Sequence, residues 1–179
     1  MVYVFLADGF EEIEAIAPVD ILRRAGADVK IVGIGGKTIE SKRGVVVTAD
    51  ILDSEAKTDG LEMIVLPGGM PGASNLEKSK TVQDFINFCS KNNIYIGAIC
   101  AAPYVLGKAG VLKGIKATCF PGFEKDLEGA LISKKSVEFD KNIITAKGAG
   151  AALDFALKLV AVLYGSEKAE KIRVEIQAV

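Results

Sequence analysis

A cysteine at the junction of a strand and a helix is the first candidate for chemistry in this sequence. Cys100 follows the apolar run Ile94–Ile99 and precedes Ala101-Ala102-Pro103, where a helix is expected to begin. Free backbone N–H groups at a helix start favour a thiolate and can lower a thiol pKa from about 8.5 to roughly 3.5–7.5. The small neighbours permit the sharp turn found under other nucleophiles. The sequence therefore predicts a reactive thiol, with a buried core cysteine as the alternative.

The other two cysteines are not expected to do chemistry. Cys89 lies late in a predicted helix, beside Phe85 and Phe88, which favours packing. Cys119 follows a short predicted strand, Ile115–Thr118, and is also expected to pack, with a role as a resolving thiol as the alternative. The spacing of the three cysteines matches no zinc pattern, so no metal site and no cofactor are predicted.

Glu14 is a carboxylic acid on the apolar side of the first predicted helix, Glu11–Ala25. At about 100° per residue, it falls between Ile21 and Ala25, on a side that also contains Ile13, while most other charges lie opposite. A carboxyl buried there is costly when charged, so its pKa is expected to rise. Because the chain contains no histidine, a protonated Glu14 that donates to a Cys100 thiolate forms a consistent pair. A partly exposed acid stabilised by the helix dipole is the alternative.

Glycine-rich turns after two predicted strands offer backbone N–H groups to an oxyanion. Pro67–Gly72 is the better candidate, because glycine allows close backbone approach, with an ordinary turn as the alternative. Gly148-Ala149-Gly150 is a weaker candidate of the same kind. Arg43 lies at the tip of a predicted hairpin, where solvation is the default and a contact to an anionic group near the thiolate is the alternative.

The elements that must position these residues alternate along the chain. The predicted strands are Val2–Leu6, Val29–Val32, Met63–Leu66, Ile94–Ile99 and Ile143–Ala146, and the helices between them are Glu11–Ala25, Thr81–Asn92, Pro103–Ala109 and Ala151–Tyr164. Nearly continuous apolar strands that alternate with helices indicate an α/β fold, with a mainly parallel sheet covered on both faces. Thr38–Asp50 and Val137–Thr145 are predicted hairpins. In such sheets, ligands bind beyond the carboxyl ends of the strands, where Cys100 and the Pro67–Gly72 turn are expected.

Composition excludes several classes of protein. The chain has 179 residues, of which 50% are hydrophobic and 25% charged, and its net charge is −1. That length suits one domain, residues 1–179, and the charge balance argues against a nucleic-acid binder. No apolar run approaches the roughly 20 residues that a membrane span needs, and the N-terminus does not resemble a signal peptide, so a cytoplasmic location is expected. Without histidine, the chain can form no Cys–His dyad, Ser–His–Asp triad or His-ligated metal site.

Taken in order, these segments resemble the ThiJ/PfpI family, and within it the clade that contains bacterial YajL and the human parkinsonism-associated deglycase. The matching stretches are Ala7–Glu14, Pro18–Asp20, Arg23–Gly26, Val65–Gly69, Gly97–Pro103 and Gly148–Gly150. The resemblance implies a flavodoxin-like three-layer sandwich and a homodimer. It also implies Cys100 as the reactive thiol, Glu14 as its protonated partner, and Gly69 and Ala101 as donors of backbone amides to the oxyanion pocket.

The resemblance implies three kinds of function. The first is deglycation of proteins or nucleotides, or a cofactor-free glyoxalase reaction on small dicarbonyls. The second is a redox-sensing chaperone of the oxidative-stress response, without turnover. A peptidase is the least favoured, because some members of the family carry a histidine where Phe120 stands here. Lys147 stands where related sequences often have a different polar or basic residue, so substrate contacts at this position do not carry over.

Overall fold

The computed structural model describes residues 1–178, in which eleven strands and six α-helices follow one another along the chain. The strands are β1 (Val2–Leu6), β2 (Val29–Gly33), β3 (Thr38–Glu40), β4 (Val46–Thr48), β5 (Ile51–Leu52), β6 (Met63–Leu66), β7 (Tyr95–Ile99), β8 (Lys116–Ala117), β9 (Leu131–Ile132), β10 (Val137–Asp140) and β11 (Ile143–Ala146). The helices are α1 (Glu12–Arg24), α2 (Gly72–Lys78), α3 (Lys80–Lys91), α4 (Pro103–Lys108), α5 (Ala152–Tyr164) and α6 (Ser166–Glu175).

Seven of the strands form one sheet in the order β10-β11-β7-β6-β1-β2-β5. Every neighbouring pair in this sheet is parallel except β10 and β11, which form an antiparallel hairpin. The carboxyl ends of β1, β6 and β7 therefore meet at one edge, in the middle of the sheet. Ligands bind at this edge in open α/β sheets, and the segments that follow these three strands carry Glu14, Gly69, Cys100 and Ala101.

Alternate side chains of the central strands enter two separate cores, as the period of a strand requires. Val4 of β1 packs on one face with residues of α1, α5 and α6, among them the fully buried Phe155. Phe5 packs on the other face with residues of α3 and α4, and its ring makes an edge contact with that of Phe85. The predicted α/β sandwich, a mainly parallel sheet between two helical layers, is confirmed.

The predicted strands and hairpins agree closely with the structure. Both predicted hairpins form, as the antiparallel pairs β3–β4 and β10–β11. Two helices were not predicted. The segment that forms α2 begins with glycine after Pro71 and resembles a turn, and α6 buries only Ala169 and Ile172, so its sequence carries little apolar periodicity. Within residues 1–178, none of the helices is both long and apolar enough to cross a membrane.

Candidate functional site

Cys100 lies on a sharp turn between β7 and α4. Its φ is 64°, in the left-handed region that residues other than glycine rarely adopt. Two backbone hydrogen bonds hold this conformation: the Cys100 N–H donates to the Ala146 carbonyl at 2.9 Å, and the Phe120 N–H donates to the Cys100 carbonyl at 2.8 Å. The predicted turn is confirmed, and it presents the partly buried thiol at the carboxyl edge of the sheet.

Glu14 reaches this thiol from the first turn of α1. Its side chain is only 1% exposed, as predicted, and its carboxyl group is hydrogen-bonded to Cys100. The prediction for Ile13 was wrong, because this residue is 54% exposed. Apolar residues surround much of α1, so periodicity alone does not separate the buried side from a second, exposed apolar side that contains Ile13 and Ile16.

The backbone of β6 continues into the site through two glycines. The Gly68 N–H donates to Glu14 Oε2 at 3.0 Å, and a Cβ atom on Gly68 would lie 2.5 Å from that oxygen and 2.7 Å from the Cβ of Cys100. Gly69 has a φ of +86°, and a Cβ there would lie 2.5 Å from the Glu11 nitrogen. The predicted Pro67–Gly72 turn contains both glycines, and the family resemblance implied Gly69, but neither singled out Gly68 as a partner of Glu14.

The pKa values of the pair differ from the sequence-based expectation. Burial raises the pKa of Glu14 to about 7, which is the predicted direction. Burial, followed by the charge of Glu14 and the hydrogen bond to it, raises the pKa of Cys100 to about 12, whereas a lowered value was predicted. The N–H groups of Ala101 and Gly69 oppose this shift but are outweighed.

These values change the roles that the two residues can take. A second negative charge beside the first is costly in a buried site, so the pair loses one proton near neutral pH and holds the other. That first charge is carried by Glu14, which is protonated in mildly acidic solution and ionised above about pH 7. Glu14 is therefore placed to accept the thiol proton when the sulfur reacts.

Most of the sequence-predicted site residues line one pocket of about 290 Å³, whereas of the weaker candidate Gly148-Ala149-Gly150 only Ala149 lines it. It contains Cys100, Glu14, Gly69, Ala101 and Arg43. Met70 and Ala149, which also line it, belong to the two glycine-rich turns selected from the sequence. The sequence gave no reason to select the remaining lining residues, which are Glu11, Lys42, Phe120 and Phe123.

Arg43 stands at the mouth of this pocket and is already engaged by carboxylates. Its guanidinium lies 3.4 Å from Glu11 and 3.3 Å from Glu12, and its side chain is 66% exposed. Glu12 is held in turn by the Ser41 hydroxyl, a hydrogen bond that lowers the pKa of this carboxyl. The predicted contact of Arg43 to an anionic ligand stays a prediction, since these acids offset its charge.

The remaining cysteines are buried free thiols. Burial raises the pKa of Cys89 to about 12 and that of Cys119 to about 11. Neither thiol lines the pocket that contains Glu14, so both lack the base that Cys100 has and are expected to react poorly. Burial of Cys119 favours packing over a resolving role. Among residues 1–178, no group of three or more acidic, cysteine or histidine residues could hold a metal ion.

Comparison with known proteins matches residues 1–162 to the model of the DJ-1/PfpI family. Protein dj-1beta of Drosophila melanogaster is 37% identical over 172 residues, which cover 94% of this chain and 92% of the relative. Glutathione-independent glyoxalase DJR-1.2 of Caenorhabditis elegans is 33% identical over 164 residues, 90% of this chain and 87% of the relative. The structure of oxidized DJ-1 of Toxoplasma gondii is 36% identical, covers 98% of this chain and 97% of its own, and superposes with a TM-score of 0.95.

The raised pKa of Glu14 predicts a pH-dependent stability. The folded-state pKa of about 7 exceeds the ordinary value of 4.5. The stabilisation from neutral Glu14 is thus fully present below about pH 4.5 and is lost as the pH rises through 7. Glu14→Gln cannot ionise, so we expect wild type to lose up to about 3 kcal/mol of unfolding free energy relative to this variant between about pH 4.5 and pH 8. Urea denaturation over that range measures the difference.

Glu138→Gln is the matched control for this experiment. Glu138 is also buried, but although burial acts to raise its pKa, hydrogen bonds from Ser133 and Lys135 hold the pKa below its usual value. Its replacement is therefore expected to shift stability by a constant amount between about pH 5.5 and pH 8. Parallel stability curves for wild type and Glu14→Gln would show that the Glu14 carboxyl titrates normally in the folded protein.

Proposed function

Because this chain belongs to the DJ-1/PfpI family, we propose that it is a cysteine-dependent enzyme of the glyoxalase or deglycase type. Its substrates are 2-oxoaldehydes or the adducts that these form with proteins, nucleotides or other small carriers. The observation that carries the proposal is the thiol of Cys100 on a strained turn, hydrogen-bonded to the buried carboxyl of Glu14. The Caenorhabditis elegans relative named as a glutathione-independent glyoxalase supports it.

The proposed first step is addition of the Cys100 sulfur to the aldehyde carbon. As the C–S bond forms and the C=O π bond opens, the thiol proton passes to the Glu14 carboxylate, a base activating an adjacent nucleophile. The oxygen that gains the electron pair is stabilised by the N–H groups of Gly69 and Ala101. Glu14 then returns the proton to this oxygen, which completes a hemithioacetal.

The second stage needs no external oxidant or cofactor. Glu14 takes the proton from the hemithioacetal carbon and an enediol forms; protonation of the neighbouring carbon then gives the thioester of a 2-hydroxy acid. The former aldehyde carbon is oxidised to the thioester, and the neighbouring ketone carbon is reduced to the alcohol, so the two changes balance. Water hydrolyses the thioester, which releases the 2-hydroxy acid and regenerates the Cys100 thiol. For an adduct, the same single water is consumed overall and the carrier leaves as its free amine or thiol.

Glu14 must carry all the acid–base steps near the sulfur. The chain contains no histidine, and the ring of Phe120 lines the pocket where some members of the family have one. A carboxyl with a pKa of about 7 suits both directions of proton transfer at neutral pH. A Cys–His peptidase mechanism is not available to this site.

Kinetics of three variants test this proposal. We expect Cys100→Ser to abolish conversion of methylglyoxal to lactate without added thiol. Glu14→Gln is expected to lower kcat/KM by about 10²- to 10⁴-fold, since it removes the general acid–base group. Wild-type kcat/KM is expected to rise through about pH 7 as Glu14 ionises. Cys119→Ser, which removes a thiol outside the pocket, serves as the control and keeps near wild-type rates. Equal rates of methylglyoxal conversion by wild type and all three variants would contradict the proposed activity.

Redox sensing without turnover is the second candidate function. The thiol that reacts with an aldehyde in this pocket also reacts with peroxide, which oxidises it to sulfenic acid and, with a second peroxide, to sulfinic acid, each step releasing water. The Toxoplasma gondii relative was solved in an oxidized form. Glu14 is close enough to Cys100 to hydrogen-bond the sulfinate oxygens.

Mild peroxide treatment followed by mass spectrometry distinguishes the residues involved. We expect two oxygen atoms to be added at Cys100, with Cys89 and Cys119 unmodified because both are buried. In Glu14→Gln the oxidation of Cys100 is expected to slow, since the base that accepts its proton is gone. Similar oxidation of all three thiols would count against a sensor role.

A homodimer and a cytoplasmic location complete the proposal. Ile13 and Ile16 are exposed on α1, and Val46 is exposed on the adjoining β3–β4 hairpin, which Glu12 ties to α1 through Ser41. This apolar surface suits a second copy of the chain. Sedimentation velocity tests this interface: wild type is expected to be a dimer and Ile16→Glu a monomer.

The free thiols support the proposed cytoplasmic location, because cysteines stay reduced in that compartment.

A further inference from the structure

A second cavity of about 420 Å³ adjoins the catalytic pocket on the other side of Phe120. Phe120 and Ala149 line both spaces. Gly148 lies at the boundary, where an added Cβ would be 3.3 Å from the Phe120 ring and 3.9 Å from the Cys100 sulfur. A group bonded to Cys100 can therefore extend past Phe120 into the second cavity.

One lysine beside this second cavity is available to an anionic group. Lys147 lines it, and in the part of the chain that the structure describes no carboxylate forms a salt bridge with its ammonium group. Asp154, the acid that also lines the cavity, is held by Arg173, whose guanidinium lies 2.9 Å from Asp154 and 3.8 Å from Glu170. The cavity thus offers the ammonium group of Lys147 beside the apolar surfaces of Phe120 and Pro121.

The catalytic pocket and the second cavity together are larger than a small dicarbonyl requires. Methylglyoxal has five non-hydrogen atoms, whereas spaces of about 300–1,000 Å³ accommodate ligands of drug size. The catalytic pocket and the second cavity, about 290 and 420 Å³, suit an adduct in which the dicarbonyl part meets Cys100 and a larger carrier lies beyond it.

We infer that the second cavity is a subsite for the carrier part of the substrate, and that Lys147 binds a carboxylate of that carrier. The inference rests on the proposed function and names its substrate class: adducts of 2-oxoaldehydes with small carriers that bear one carboxylate. The single ammonium group of Lys147 matches a monoanion, whereas a phosphate dianion would keep one negative charge without a partner in the cavity. The apolar faces of Phe120 and Pro121 cover the carrier's hydrocarbon chain.

Alkylation of Cys100 tests the subsite without requiring turnover. 3-Maleimidopropionic acid and its amide differ only in that one ends in a carboxylate and the other in a neutral carboxamide. After reaction with Cys100, this end group lies several bonds from the sulfur in both. We expect the ratio of their rates of reaction with Cys100, acid over amide, to fall by about threefold to fivefold in Lys147→Met, as loss of a partly exposed ion pair predicts. The wild-type ratio is also expected to fall with added salt.

Two control variants keep this test specific. Lys147→Arg retains the charge and is expected to retain the wild-type ratio, as is Lys158→Met, which removes a cation that lies over Phe139 outside the cavity. An unchanged ratio in Lys147→Met would overturn the inference. A fall of the same size in Lys42→Met, with none in Lys147→Met, would also overturn the inference. The carboxylate would then bind Lys42 in the catalytic pocket.

A turnover experiment then separates the subsite from the proposed function. Hemithioacetals of methylglyoxal with N-acetylcysteine and with N-acetylcysteine amide are compared as substrates. For the acid, Lys147→Met is expected to raise KM threefold to fivefold with kcat unchanged; for the amide it changes neither. No turnover of either hemithioacetal by wild type would reject the proposed function, while the maleimide ratios would still report on Lys147.

Discussion

The contact between the Cys100 thiol and the Glu14 carboxyl is the interaction on which the chemistry of this protein depends. Two acidic groups share a buried space in which one negative charge is tolerated near neutral pH and two are not. Most cysteine nucleophiles use an imidazole as the neighbouring base, and this chain has none. The raised pKa of Glu14 replaces it, because a carboxyl with an ordinary pKa would be too weak a base to accept a thiol proton.

The rest of the fold holds this contact in place. The parallel strands β1, β6 and β7 bring the segments that follow them to one edge of the sheet, and each segment supplies a different part of the site. Gly68 and Gly69 let the backbone after β6 pass between Glu14, Cys100 and Glu11, where any side chain would clash. The strained backbone of Cys100 persists because Ala146, at the end of β11, and Phe120, in the loop after β8, form hydrogen bonds with its N–H and carbonyl groups. Rigid elements therefore position both reacting groups.

Much of the fold and part of the site could be predicted from the sequence. The buried strands are marked by apolar runs, and Cys100 is marked by its place after one of them. Glu14 stands out because a carboxyl among apolar residues of α1 breaks the periodicity. The direction of the Cys100 pKa could not be predicted, since it depends first on how deeply the fold buries the thiol and then on the charge of Glu14 on another element. Gly68 and the cavity beside Lys147 were missed for the same reason: close approach between distant segments has no local signature.

The most direct test of this account is the pH dependence of Cys100 alkylation by iodoacetamide, followed at that residue by mass spectrometry. If Glu14 is the base that accepts the thiol proton, the rate rises with an apparent pKa of about 7 in wild type. This inflection disappears in Glu14→Gln, where the rate rises only at much higher pH. A single inflection at or above the ordinary thiol value of about 8.5 in both proteins would show that the carboxyl does not act on the sulfur.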